Sequence, residues 1–272
     1  MASATPTTNA SSLSLKEVLH VLLVCFHAAA DAFPRSFPVY ALEFRHPSFP
    51  VPIWKYWLME DLEFSPPDVE DFSRCTFLPP WLNDVLTRLN MCDWFCLVME
   101  TEVNRLVGKL FGGGAQWLMY WPKIDRLLTW YGGANQPIVP IHSVLLVETG
   151  DGRQMIMDGT LRQYLWEAST WLQTRQEWSA KRLAWSSGWS YPLQESKDSV
   201  ESAAAEMARG YWAFAFEQLK KLFKELDWEE LKGLEPIKRL EHVKEMAEEK
   251  LTGFDEWASK SGKNDGGRDS GT

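Results

Sequence analysis

One histidine and one aspartate stand at the two ends of a segment that is typical of a β-hairpin, "HSVLLVETGDGRQMIMDGT", residues 142–160. His142 opens the first apolar run, and Asp158 closes the second. In enzymes with a nucleophilic cysteine, a histidine takes the thiol proton, and an acid fixes the tautomer of the imidazole and stabilises the imidazolium. The spacing therefore indicates two of the three members of a catalytic triad.

The register of this hairpin decides whether the two side chains can meet. With a two-residue turn, His142 would point to the opposite side of the sheet from Asp158. With a three-residue loop over 150–152, Val144 pairs with Asp158, and His142 becomes its diagonal neighbour on the same face. Two glycines flank Asp151, and a three-residue hairpin needs a glycine in the left-handed region. The longer loop, and with it the triad, is favoured.

Both residues also have structural interpretations that need no catalysis. His142 could be a strand-end histidine with a satisfied hydrogen bond, and Asp158 could cap a helix that begins near Leu161. The nucleophile is open as well, because a triad is assembled in space and sequence order constrains it weakly. The chain has four cysteines: Cys25, Cys75, Cys92 and Cys96.

Cys92 has two opposed interpretations of its own. Neither proline nor glycine separates Leu82 from Val107, so the thiol could lie inside one continuous helix as an inert, buried small hydrophobe. Cys96, one turn further along the same face, is the next candidate nucleophile. Cys25 near His27 is another, and Cys75 is the least favoured.

The order of these features resembles the transglutaminase-like branch of the papain-like cysteine enzymes. "NMCDWFCLVMETEVNRL" is similar to that family's nucleophile segment, and the hairpin is similar to its histidine and aspartate strands. The resemblance covers residues 90–160 and implies that Cys92 is the nucleophile, His142 the base and Asp158 the residue that orients the base. The chain departs from the family in having no glycine before Cys92 and no tryptophan at the usual alternating position after His142.

An enzyme of this kind transfers an acyl group through a thioester, without cofactor or metal, on a small-molecule or peptide substrate. The 15 tryptophans make a water-poor pocket conceivable, so amide or peptide bond formation is as open as amide hydrolysis. Two alternatives come from other classes. One is a non-catalytic, aromatic-rich binding protein, and the other is an aminoacyl-tRNA-dependent enzyme that forms peptide bonds.

The net charge and the cysteines limit the partners and the cellular compartment that we expect. The net charge of −9 gives no global reason to expect nucleic acid or an anionic membrane. Four cysteines without paired CxxC spacing indicate reduced thiols, and we expect a cytoplasmic protein. The apolar run Val18–Ala30 is too short to span a bilayer and predicts a buried helix.

The expected fold is α+β, mainly helical, with a small antiparallel sheet of the papain-like or transglutaminase-like type and a C-terminal helical appendage. Helical periodicity begins at Pro80 and ends at the triple glycine 112–114. Two further stretches, "QWLMYWPKIDRLLTWYGG" and "LRQYLWEASTWLQTRQEW", also predict helices. The last predicted helix spans Pro236–Leu251. The predicted divisions are a disordered tail at 1–12, a core at 13–198, a helical pair at 199–259 and a disordered tail at 260–272.

Overall fold

The computed structural model describes residues 12–34, 38–46, 49–58, 78–130, 139–184, 188–206 and 210–261. Cys75 and most of the two tails that we expect to be disordered lie outside these residues. The chain is α+β, with many helices and two small, mostly antiparallel sheets, which confirms the predicted class. Within the described part of the chain, no helix is both long and apolar enough to cross a membrane.

The α-helices of the described residues are α1 (Leu15–Ala32), α2 (Pro80–Leu86), α3 (Cys92–Phe111), α4 (Arg175–Arg182), α5 (Gln194–Glu206), α6 (Tyr211–Glu225), α7 (Trp228–Gly233), α8 (Pro236–Leu251) and α9 (Phe254–Ser261). The strands are β1 (Pro38–Phe44), β2 (Ile53–Leu58), β3 (Gly114–Tyr120), β4 (Leu127–Trp130), β5 (His142–Glu148), β6 (Gln154–Met157) and β7 (Leu172–Thr174). Two short 3₁₀ helices precede β7, at Leu161–Tyr164 and Ala168–Thr170.

The chain divides into two compact units. One comprises residues 33–212, and the other combines residues 1–32 with 213–272. The sequence predicts that α1 belongs to the core at 13–198 and that the C-terminal helical pair begins at residue 199. In the structure, α1 clusters with the C-terminal helices instead, because its apolar surface is covered by α8.

The helical unit is built on α1, whose apolar side chains are buried on nearly all sides. A helix that is hydrophobic all round must be covered by other elements, and α8 packs along it. One buried cation, Arg239, ties the unit together: it donates to Glu17 Oε1 at 2.8 Å and to the carbonyl oxygen of Leu231 at 2.7 Å. The predicted bounds of α8, Pro236–Leu251, are confirmed at both ends.

The larger unit contains both sheets. In one, β1 and β2 are antiparallel and β4 adds to β2 in parallel; in the other, the order is β3-β5-β6-β7, antiparallel throughout. Every residue of β5 except Glu148 is buried, which is typical of a strand covered on both faces. Helix α3 packs on β3 and β5.

Two side chains of α3 fix its position along the outer edge of β3. The backbone N–H of Ala115 donates to Asn104 Oδ1 at 3.0 Å, and that of Trp117 donates to Glu100 Oε1 at 2.9 Å. Two residues four apart on the helix thus bond to two residues two apart on the strand. Because the residue numbers rise along the helix as they fall along the strand, the helix runs antiparallel to β3. The first turn of α3 therefore lies at the Tyr120 end of β3, and Tyr120 pairs with His142 on β5.

Two of the predicted helices are wrong. In the stretch 116–133, residues 131–133 lie outside the described part of the chain. Residues 116–130 hold most of β3 and all of β4, because their backbone pairs with β5 and β2, and such pairing overrides a local pattern that fits either structure. The stretch 161–178 holds the two 3₁₀ helices and β7. Its regular helix α4 begins only at Arg175, where Thr174 and Glu177 form a capping box.

Candidate active site

The β5–β6 hairpin has the longer of the two possible loops. Leu145 pairs with Met157 and Glu148 with Gln154, which leaves a three-residue loop over 150–152. The N–H of Thr149 donates to the carbonyl oxygen of Arg153 at 3.0 Å, and Gly152 has a φ of 81°. The predicted register and the predicted left-handed glycine are both confirmed. His142 and Asp158 consequently face the same side of the sheet.

His142 and Asp158 meet directly. Nε2 of His142 lies 2.6 Å from Oδ2 of Asp158, and both side chains are buried. The other carboxylate oxygen, Oδ1, accepts from the backbone N–H of Thr160 at 2.7 Å and from its hydroxyl at 3.1 Å. Asp158 thus contacts the imidazole and also bonds locally to Thr160. The N-cap of the 3₁₀ helix at Leu161–Tyr164 is Thr160, so the interpretation of Asp158 as a helix cap is wrong.

The charge of the imidazole is set by competing effects. Burial by itself would lower the pKa of His142, but the charge of Asp158 and its hydrogen bond raise it, as does a side-chain hydrogen bond with Cys92. The net result is a pKa above the ordinary value of 6.5. Asp158 is therefore hydrogen bonded to the imidazole, and Cys92 lies close enough to it to affect its pKa.

Cys92 is the first residue of α3. Helix α2 ends at Leu86, and Asn90 then adopts a left-handed conformation with a φ of 58°. The carbonyl oxygen of Met91 accepts the N–H of Phe95 at 2.8 Å, which marks the start of the new helix. A left-handed residue cannot continue a right-handed helix. The interpretation of Cys92 as an interior residue of one helix over 82–107 is therefore wrong.

A second contact holds the start of α3 against β5. The hydroxyl of Ser143, next to His142, donates to Oδ1 of Asp93. The same oxygen lies 3.8 Å from Sγ of Cys92. Since Ser143 is fully buried, this bond fixes the first turn of the helix relative to the strand that carries the imidazole.

The other described cysteines lie in different surroundings. Burial raises the pKa of Cys96 well above its usual range, and nearby Cys92 and Asp93 raise it further. Burial also raises the pKa of Cys25, on α1. Both therefore stay protonated near neutral pH, which makes them poor nucleophiles. Cys92 is 6% exposed and is the described cysteine that the structure brings to His142.

Aromatic rings surround the imidazole. Its ring centroid lies 5.3 Å from that of Tyr120, 5.0 Å from Tyr164 and 5.9 Å from Trp166, in edge-to-face arrangements. Arg182 lies over the Trp166 ring at 4.1 Å. Burial raises the pKa of Tyr164, and the neighbouring Cys92 raises it further. These aromatic rings pack around the imidazole, which is fully buried.

Gly159 lets the end of β6 approach the first turn of α3. A Cβ atom at this position would lie 2.3 Å from the ring of Phe95, which is fully buried and cannot move aside. The glycine after Asp158 is therefore required by close packing. It keeps the segment that carries the carboxylate beside the helix that carries Cys92.

Sequence reasoning missed three polar residues of the site: Ser143, Thr160 and Gln163. The signal for Thr160 and Gln163 is the string "DGTLRQY", which places them two and five residues after Asp158. Ser143 directly follows His142. The 3₁₀ helix that begins at Leu161 turns Gln163 back toward the imidazole, and its Nε2 lies 2.9 Å from Nδ1 of His142. Short 3₁₀ helices have no strong sequence pattern.

A cavity of about 490 Å³ lies at the opposite end of β3 and β5, lined by Asn104, Gly112–Gly114, Glu148 and the hairpin loop. The three triad residues do not line it, so it is separate from the candidate site. Among the described residues, no three His, Cys, Asp or Glu side chains are placed to share a metal ion.

Comparison with known proteins returns no match. No family model, no curated protein and no solved structure is significantly similar to this chain.

Proposed function

We propose that this chain is a cysteine-dependent acyl-transfer enzyme with a papain-like core and a triad of Cys92, His142 and Asp158. The observation that carries the proposal is a buried imidazole–carboxylate contact beside the start of α3. Nε2 of His142 lies 2.6 Å from Oδ2 of Asp158, and Cys92 lies close enough to the imidazole to raise the pKa of His142. A thiol, a base and an orienting acid in this order are the minimal set for nucleophilic catalysis by cysteine.

The reaction follows from these roles. His142 takes the proton of the Cys92 thiol, and the thiolate attacks the carbonyl carbon of an amide or thioester substrate. The imidazolium returns that proton to the leaving amine or thiol, and an acyl thioester remains on Cys92. Water or an amine then attacks the thioester, with His142 again as base, which releases an acid or a new amide and regenerates the thiol.

The position of Cys92 at the start of a 20-residue helix supports this role. Nucleophilic cysteines are commonly found at helix N-termini beside a histidine. The N-cap residue Met91 provides no side-chain acceptor for the first turn. Backbone N–H groups at such a helix start are suited to stabilise the oxyanion that forms when the carbonyl is attacked.

The surroundings support a small-molecule or peptide substrate whose acyl group is bound away from water. His142 and Asp158 are at most 1% exposed, and Tyr120, Tyr164 and Trp166 surround the imidazole. A dry site strengthens the electrostatic contacts within the triad. It also protects a thioester from hydrolysis, which favours transfer to an amine acceptor.

Site-specific thiol chemistry tests the proposal. The full chain is treated with iodoacetamide near neutral pH, and the modified cysteines are followed by peptide mass spectrometry. We expect Cys92 to be alkylated at least about tenfold faster than Cys25 and Cys96, because thiolate formation there depends on the histidine. The preference should disappear in His142→Ala.

Acylation gives the second readout. The chain is incubated with p-nitrophenyl esters of short acyl and N-acylaminoacyl groups, and the mass of the acyl-enzyme is measured. Acylation should be lost in Cys92→Ala and retained in Cys96→Ala, which removes a cysteine one turn further along the same helix. Equal alkylation of Cys25, Cys92 and Cys96, or acylation that persists in Cys92→Ala, would contradict the proposal and favour an aromatic-rich binding protein.

A further inference from the structure

Gln163 is a second polar side chain that contacts the imidazole of His142. Its Nε2 atom lies 2.9 Å from Nδ1 of the ring and 3.0 Å from the hydroxyl oxygen of Thr160. The side chain is 5% exposed. His142, Asp158, Thr160 and Gln163 therefore form a closed ring of hydrogen bonds inside the protein.

With an ionised carboxylate at Asp158, one assignment of hydrogens satisfies every bond in this ring. An ionised carboxylate only accepts, so Nε2 of His142 carries a hydrogen that it donates to Asp158. The hydroxyl of Thr160 donates to the other oxygen of Asp158, so its oxygen is left to accept from Gln163. One amide hydrogen of Gln163 then goes to Thr160 and the other to Nδ1 of His142.

A nitrogen that accepts a hydrogen bond from an amide must be unprotonated. The ring is therefore complete only when His142 is neutral and carries its single hydrogen on Nε2. An imidazolium would direct a second N–H at the amide hydrogens of Gln163. The geometry thus matches one protonation state and one tautomer of the imidazole.

We infer that Gln163 is a positioning residue of the proposed enzyme, whose amide holds His142 as the neutral tautomer that can accept the proton of Cys92. The inference rests on the proposed function, because it assigns Nδ1 as the atom that receives this proton. When the S–H bond of Cys92 breaks and the Nδ1–H bond forms, the amide of Gln163 must withdraw from Nδ1.

This role opposes that of Asp158. The carboxylate stabilises the imidazolium, and an imidazole that is already protonated cannot take a proton from the thiol. General bases work best when their pKa lies near the working pH. A donor to Nδ1 stabilises the neutral form alone and so moves the equilibrium back toward the base. Asp158 and Gln163 together balance the two forms of His142.

Several other groups face the imidazole or its partners and contribute to its titration. Tyr120 lies beside it on β3, and Tyr164 lies beside it on the 3₁₀ helix. Arg182 on α4 interacts with Asp158 and Tyr120. Cys92 lies beside the imidazole, and its thiol donates to Oδ1 of Asp93. None of these groups is altered by a substitution at Gln163, so the same surroundings apply to every variant of that residue.

The test is the titration of His142 by ¹⁵N NMR of the imidazole nitrogens in the full chain. Gln163→Met keeps the length of the side chain and removes the donor. We expect the midpoint to rise by about half to one pH unit, the equivalent of one hydrogen bond to the neutral form. Gln163→Glu, which can accept from Nδ1–H, should raise the midpoint further.

Gln116→Glu is the matched control, because it makes the same change of charge on β3, where the side chain accepts from the Tyr191 hydroxyl. Its midpoint should equal that of the wild type. A merely structural role for Gln163 predicts the opposite sign, since a loosened His142–Asp158 contact lowers the midpoint. An unchanged or lowered midpoint in Gln163→Met would overturn the inference.

The wild-type chain provides a measurement that does not depend on a variant that folds. The side-chain NH₂ protons of Gln163 should exchange slowly with solvent above the midpoint of His142 and rapidly below it. Exchange that is independent of the protonation of His142 would also overturn the inference. If titration and exchange contradict the role of Gln163 while alkylation of Cys92 still depends on His142, the proposed function is unaffected. If alkylation of Cys92 does not depend on His142, the proposed function is contradicted, whatever the results at Gln163.

Discussion

Two buried basic groups, Arg239 in the helical unit and His142 in the sheet unit, use their hydrogen bonds in different ways. Arg239 donates to the carbonyl oxygens of Leu231 and Leu234 and to the carboxylate of Glu17. A guanidinium does not lose its proton in proteins. Its contacts therefore join three segments of the unit and have no further chemistry.

Both ring nitrogens of His142 also have hydrogen-bond partners, but each partner favours a particular protonation state of the imidazole. Asp158 favours the imidazolium, Gln163 favours the neutral ring, and in the proposed reaction Cys92 would exchange a proton with the imidazole. A buried charge with fixed donors is a structural device, whereas a buried group with opposed partners is suited to proton transfer. The comparison separates a stabilising contact from a candidate catalytic one without reference to exposure.

Removal of the charge of Asp158 should have the largest effect on the reactivity of Cys92. In Asp158→Asn, the amide no longer fixes the Nε2–H tautomer, and the imidazolium loses its partner. We expect alkylation and acylation of Cys92 to fall by about 10³-fold or more. Thermal unfolding should show a loss of only about 1–3 kcal/mol. Reactivity within tenfold of the wild type would make Asp158 a structural residue like Glu17.

Removal of Arg239 should have the reverse result. Arg239→Ala leaves two carbonyl oxygens and Glu17 without their donor, and we expect a loss of about 2–4 kcal/mol in the free energy of unfolding. The rate of Cys92 alkylation in the folded chain should stay within about twofold of the wild type. Denaturant unfolding and mass spectrometry measure the two effects, and a parallel loss of reactivity would make Arg239 part of the site.

The Gly159 contact tests whether packing alone positions the triad. Gly159→Ala puts a methyl group against the ring of Phe95, and we expect a loss of about 1–3 kcal/mol from overpacking. Cys92 alkylation should fall at least fivefold, because α3 and Asp158 are forced apart. Gly233→Ala is the control, since nothing lies within 4 Å of the added Cβ. Equal effects of the two substitutions would contradict the assigned role.

The pH dependence of stability also separates the two regions. Arg239 and Ser14 lower the pKa of Glu17 from 4.5 to about 2, so the contribution of this carboxylate is present above pH 4.5 and is lost as the pH falls toward 2. The pKa of His142 is raised, so its contribution is present below 6.5 and is lost as the pH rises through the raised value. Glu17→Gln should flatten only the acid side of the stability profile, by about 1 kcal/mol given the partial exposure of Glu17.

The sequence predicted those features whose signals are local. The register of the β5–β6 hairpin follows from the glycines on either side of Asp151, and the ends of α8 follow from Pro236 and the apolar period. The turn before Cys92 was missed because it contains neither proline nor glycine. Its signal was Asn90, a residue that tolerates the left-handed region better than most.

Features that depend on distant partners could not be predicted in this way. The tryptophans and leucines of residues 116–133 fit a helix or a strand, and only pairing with β5 and β2 selects the strands. The role of Gln163 depends on a 3₁₀ turn that brings it to a ring 21 residues earlier in the chain. Residue types and spacing therefore indicated the triad, while its supporting hydrogen bonds required the fold.

The smallest expected effect concerns the bond between Ser143 and Asp93. Ser143→Ala removes the hydroxyl that joins β5 to the first turn of α3, at a cost of about 1 kcal/mol in unfolding free energy. Cys92 alkylation should fall about two- to fivefold, because the thiol is then held less firmly beside His142. Ser179→Ala is a suitable control, since its hydroxyl bonds to Arg175 and Trp189 within the same unit. If both substitutions reduce stability but only Ser143→Ala slows alkylation, the bond between Ser143 and Asp93 positions the nucleophile. If neither substitution slows alkylation, the bonds that Glu100 and Asn104 of α3 accept from β3 are sufficient to orient the helix.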